Sequence, residues 1–207
     1  MKISVTIIAT FLFTIVNAQI VINMSGDDNN YPYDYLSTGQ YYIKDVNNYL
    51  DNFTGTWEYV NGNEKFQIIL TKVIQFHVIH DTTFNYYKDG IYVKYKKFYN
   101  NVLIYESPFD SYPSFETKNG LLLTGAMYDY GRITKTIVLP FSDIVWHQGG
   151  EPIYPHCNIE KLANQPNKIT FKLHSGMEHG HKGYDKETYS GLPTYSIPND
   201  VIMTKIN

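Results

Sequence analysis

The chain has 207 residues, a formal net charge of −3 at pH 7 and only 18% charged residues, so it lacks the basic excess that nucleic acid binding requires. Its single cysteine, Cys157, excludes an intramolecular disulfide, so stability has to come from a packed core. Aromatic residues make up 16%, and twenty of them are tyrosines, a composition that suits half-exposed strand faces.

Residues 1–18 carry Lys2, an unbroken apolar and small stretch over 3–16, and Val16-Asn17-Ala18 before Gln19. This pattern predicts a secretory signal peptide with a small-residue cleavage site. The apolar stretch is shorter than the roughly 20 residues a membrane-spanning helix needs. No second such stretch follows, so no transmembrane anchor is expected once the signal is removed, and the mature chain is expected to be secreted or periplasmic. A lipid anchor would need a cysteine at the cleavage point, and Cys157 lies far downstream.

Residues 19–40 are rich in Asn, Asp, Ser and Tyr, have no apolar period and read as an extended or disordered leader. The domain proper is expected over 41–207. Within 41–53, Tyr42, Val46, Tyr49 and Leu50 fall at helical spacing and predict a short helix or turn. Gly55-Thr56-Trp57 then opens the first strand in a manner that resembles lipocalin-like barrels. In that arrangement the glycine lets the chain enter tightly and the indole plugs the closed end.

From there the pattern is strands. Asn61-Gly62-Asn63 is a turn signal, after which Phe66, Ile68, Leu70, Ile74, Phe76 and Val78 are expected on one face. Lys72 interrupts that face and marks a bend, a bulge or a snorkelling stem. Asp89-Gly90, Asn100-Asn101 and Asn119-Gly120 read as hairpin turns. Strand patterns continue at 102–106 and 121–128, and through Ile133, Ile137, Leu139 and Phe141. Residues 142–167 look irregular; Ile169, Phe171 and Leu173 make one more strand, and 200–206 the last. The sum is an all-β fold: one antiparallel, lipocalin-like (calycin-like) barrel of about 8–10 strands with a short N-terminal helix or turn.

Chemistry is thinly signalled. His174, His179 and His181 with Glu178, and His156 and Cys157 upstream, are metal-ligand types, yet they match no established ligand spacing and sit in a Gly- and Ser-rich stretch. His156 and Cys157 are neighbours and, on an extended chain, point apart, which disfavours a thiol nucleophile. No Gly-x-Ser-x-Gly elbow or Gly-rich phosphate loop is present. Glu106, Asp110, Glu116 and Asp129 could pair as carboxylates, but a chain with 20 acidic residues offers many such pairs. The sequons at Asn23 and Asn52 matter only in a eukaryotic secretory route.

Three stretches carry a family likeness: Tyr42-Ile43-Lys44-Asp45 with Leu50-Asp51-Asn52-Phe53-Thr54-Gly55-Thr56-Trp57-Glu58; Phe66-Gln67-Ile68-Ile69-Leu70-Thr71-Lys72; and 197–205. Together they resemble a family of uncharacterised exported proteins of Bacteroidota, chiefly flavobacteria, catalogued as a domain of unknown function. The resemblance covers nearly the whole mature chain and implies an exported lipocalin-like barrel. It implies no activity, cofactor or catalytic residue.

Three readings follow. In the first, a non-enzymatic barrel binds a small apolar or aromatic ligand inside, on Trp57, Phe66, Ile68, Leu70, Phe76, Ile137 and Leu139. In the second, those side chains fill the barrel and a tyrosine-rich surface meets another protein, a glycan or an envelope component. In the third, the histidine loop holds a metal. No cofactor is expected under the first two.

Overall fold

A computed structural model describes residues 19–24, 34–80, 83–106, 136–140, 156–174 and 197–207. Its strands are β1 (Ile20–Asn23), β2 (Tyr41–Lys44), β3 (Gly55–Asn61), β4 (Glu64–His80), β5 (Phe84–Tyr99), β6 (Val102–Glu106), β7 (Thr136–Pro140), β8 (His156–Lys161), β9 (Lys168–His174) and β10 (Val201–Lys205). One 3-10 turn, Tyr49–Asn52, precedes β3. The residues at helical spacing over 41–53 therefore divide between the strand β2 and this single turn.

All ten strands join one sheet in the order β1-β2-β5-β4-β3-β10-β9-β8-β7, with β6 also on β5. Among the described residues the sheet is open, ending at β1 and β7. It is also mixed, where an antiparallel sheet was expected. β1 runs parallel to β2, and β2 parallel to β5. Parallel neighbours need a crossover of a dozen or more residues. The long stretches between β1 and β2, and between β2 and β5, supply it.

Two of the expected turns are as the sequence has them. Gly62 adopts φ 59° between the paired Asn61 and Glu64, while Asn100 and Asn101 adopt φ 49° and 62° between Tyr99 and Val102. Both loops have two residues, and left-handed φ is what such hairpins require. Asp89-Gly90 is not a turn. It lies inside β5, whose pairing with β4 runs from Glu64↔Tyr99 to His80↔Phe84.

That long β4–β5 ribbon is broken once. Val73 pairs with Gly90 and Phe76 with Lys88, which leaves Ile74 and Gln75 opposite Asp89 alone, a β-bulge with Gln75 at φ 54°. The extra residue resets the alternation. Ile74 is 68% exposed, and Phe76 packs with Val73 and Tyr92 on the face opposite Phe66, Ile68 and Leu70. The single apolar face expected from Phe66 to Val78 thus ends at Leu70, and Lys72 stands just ahead of the bulge.

A second departure is β8, which occupies part of the stretch that reads as irregular. His156–Lys161 pairs antiparallel with β7 and β9 and buries Cys157 and Ile159. The core is continuous from β2 to β9 and joins Leu50, Phe53, Trp57, Phe66, Ile68, Leu70, Val93, Phe171 and Met203. β4 and β9 are three steps apart in the sheet, about 14 Å if it were flat. The rings of Phe66 and Phe171 nevertheless stand 5.6 Å apart, so the sheet curls over its buried face.

Candidate functional site

The concave side of this curl holds most of the interior residues singled out by the sequence. Trp57, Phe66, Ile68 and Leu70 are all buried in one contact cluster. The Phe66 ring meets Tyr95 at 5.9 Å as well as Phe171, and tilted ring pairs at such distances are favourable beyond their buried area. The Trp57 indole N–H donates to the Phe53 carbonyl at 2.8 Å, which fixes the ring over the 3-10 turn, and the Lys205 ammonium lies 5.4 Å from its centroid. Gly55 enters β3 at φ 119°, and a Cβ there would come within 2.3 Å of the Asn207 carbonyl oxygen, so only glycine fits. Ile137 and Leu139 lie on β7 opposite Ile159 and Cys157. Phe76 belongs to the other face.

A polar network, missed in the sequence, fastens the bulge to the 3-10 turn. The Asp89 carboxylate is buried and accepts from the Tyr42 hydroxyl at 2.5 Å, the Gln75 N–H at 2.9 Å and the Asp45 N–H at 2.9 Å. Asp45 is buried too, and it accepts the N–H groups of Tyr49 and Leu50 at 2.8 and 2.9 Å. It thereby caps the 3-10 turn, whose own N-cap residue, Asn48, makes no side-chain cap bond. Lys72 closes the chain with 3.0 Å to Asp45 and 2.9 Å to Asp51.

The electrostatics follow from this geometry. Burial and then the bond to Asp89 push the Tyr42 phenol well above its ordinary range. Burial alone would lower Lys72, but the bonds it donates to Asp51 and Asp45 outweigh it and hold the amine above its usual value. Each carboxylate oxygen of Asp45 and Asp89 accepts at least one bond, so the network ties the bulge rigidly to the 3-10 turn. The sequence signal was present: an aspartate in the middle of a strand-like run with aromatic residues on both sides has to find partners.

Outside the core, two hairpin tips meet. The Asn100 N–H donates to the Asn63 carbonyl at 2.9 Å, tying the β3–β4 turn to the β5–β6 turn. Around this junction Val60, Tyr99, Val102, Leu103 and Ile104 are all exposed, Val102 most of all at 64%. Val102, Leu103 and Ile104 follow one another along β6 and so stand alternately on its two faces. Beside the junction runs a polar row, with Glu106 bridging Lys94 at 2.9 Å and Lys96 at 3.1 Å, and Gln67 donating to Glu58 at 2.7 Å.

Of the histidines, His156 and His174 stand opposite one another in the β8–β9 register. His179, His181 and Glu178 lie outside the described residues, as do residues 1–18, Asp110, Glu116, Asn119-Gly120, the 121–128 stretch, Asp129, Ile133, Phe141 and His147. Among the described residues no three His, Cys, Asp or Glu side chains are placed to hold a metal ion. No helix among them is long and apolar enough to cross a membrane. Cys157 is fully buried on β8.

The chain belongs to a family of unknown function, DUF6705, which it matches over residues 1–206. No curated protein and no solved structure matches it.

Proposed function

We propose that this member of a family of unknown function is an exported, non-enzymatic, lipocalin-like β protein with a filled core, acting through its outer surface on a component of the cell envelope. The observation that carries the reading is the mutual packing of Trp57, Phe66, Tyr95 and Phe171, each no more than 1% exposed. Side chains that satisfy one another in this way leave their contact area for each other rather than for a ligand. The exposed apolar residues at the joined hairpin tips supply the contact surface. Export is supported by the signal-like pattern of residues 1–18.

Two measurements test this. The neutral probe N-phenyl-1-naphthylamine, titrated into the protein carrying Trp146→Phe, is expected to leave Trp57 emission unchanged. Saturable one-to-one quenching would instead establish an interior carrier site. The pair Val102→Asp and Leu103→Asp is expected to weaken adsorption to envelope vesicles of the native host at unchanged stability; unaltered adsorption would remove the tips from the reading.

A further inference from the structure

Other lysines on the β4–β5 ribbon meet partners within the chain, Lys65 in the Asn101 side chain and the Phe98 ring. Lys72 has Asp45 and Asp51, and Lys94 and Lys96 share Glu106. Lys88 is different. Its register partners are Ile43 on β2 and Phe76 on β4, so the three side chains leave the sheet on one face. Alternation along β5 adds Tyr86 and Tyr92 to that face, and Tyr92 packs with Val73 and Phe76. Gly90, between Lys88 and Tyr92, contributes no side chain.

The nearest carboxylate in sequence, Asp89, points to the other face and is occupied by Tyr42, Gln75 and Asp45. Among the described residues no acid or acceptor meets the Lys88 ammonium. The amine is half-buried in this apolar frame, and burial alone brings it down to about 8. Carrying such a charge without a partner costs stability that an apolar side chain would not cost. A half-buried amine with no counter-charge among the described residues is a candidate for a functional site.

We infer that Lys88, flanked by Ile43, Phe76 and Tyr86, is the anchor of a site for an organic anion with an apolar body, such as a carboxylate-headed acyl chain. The head pairs with the ammonium, and the apolar body lies along Phe76. A small hydrated anion would lose its water without gaining an apolar contact, so the apolar body is part of the recognition. Ile43 and Tyr86 stand at the margin of the core cluster and Phe76 packs with Val73 and Tyr92 on the other face from Phe66, so the site does not depend on the hairpin tips.

Calorimetric titration with decanoate and with decanol separates charge from tail. The native sequence is expected to bind decanoate about tenfold more tightly than decanol, the worth of one charged contact. Lys88→Met is expected to abolish that preference while melting no lower than the native protein, and Lys88→Arg to keep part of it. Equal binding of the two probes, no binding of either, or a preference that survives in Lys88→Met would each overturn the site.

Discussion

The two halves of the β4–β5 ribbon share strands and pairing yet are built on different chemistry. Residues 64–73 with 90–99 send Phe66, Ile68, Leu70, Ile91, Val93 and Tyr95 into the core, all buried. Beyond the bulge, 76–80 with 84–88 turn Phe76 to the opposite face, stack His77 on Tyr87 at 4.1 Å, and lean on the buried carboxylate of Asp89 next to the junction. The difference teaches that one additional residue, Gln75, is enough to exchange an apolar seam for a hydrogen-bonded one.

Substitutions can break this contrast. Phe66→Ala should cost the most, about 3–5 kcal/mol in urea unfolding, because it empties the middle of the curled face. Asp89→Ala should cost about 2–5 kcal/mol, since the Tyr42 hydroxyl and two N–H groups lose their acceptor; Asp89→Asn should cost less.

Tyr42→Phe should cost about 1–2 kcal/mol at neutral pH and should sharpen the picture in alkali. The folded state holds the Tyr42 proton more tightly than the unfolded chain does, so its contribution is complete below the ordinary tyrosine value of 10 and declines as the pH rises above it. Lys72, also raised, declines in the same sense above 10.5. A pH series of thermal melts should therefore show native stability falling above pH 10, and falling less in Tyr42→Phe.

Lys88→Met reverses the sign. Its amine is lowered from 10.5 to about 8, so the folded state carries the cost of the charge below pH 8 and is relieved of it between 8 and 10.5. The variant should melt a few degrees higher at pH 7 than the native protein, with the gap closing by pH 10.5. The smallest effect belongs to Ile74→Ala on the bulge, which should stay within about 0.5 kcal/mol, in contrast to the same truncation at Ile68.

Period and turn chemistry made the first half of the ribbon legible. Phe66, Ile68 and Leu70 alternate without interruption, and the turns at Gly62 and Asn100-Asn101 carry the residues that left-handed φ demands. The second half was hidden because Asp89-Gly90 has the composition of a hairpin turn, and only the Tyr42, Gln75 and Asp45 bonds make it interior strand. β8 was hidden by flanking prolines and by its polar Asn158 and Glu160, which leave only Cys157 and Ile159 buried among its described residues. The parallel pairing of β1 and β2 had no local signature, since it depends on a crossover rather than a turn. Of the site, the buried aromatics were readable from type and spacing; Lys88 was not, because a lysine without a counter-charge is visible only once its neighbours are placed.

β10 sits between β3 and β9, and so joins the strands formed from residues 20–106 to those formed from 136–174. Met203 is fully buried at this join, opposite Ile169. The keystone of the sheet is therefore the strand furthest along the chain among those described. Until it pairs, β3 and β9 both present open edges, so completion of the sheet waits on closure over nearly 150 residues between Trp57 and its partner Lys205. A chain without β10 would be two half-sheets with adhesive margins rather than a slightly weakened protein.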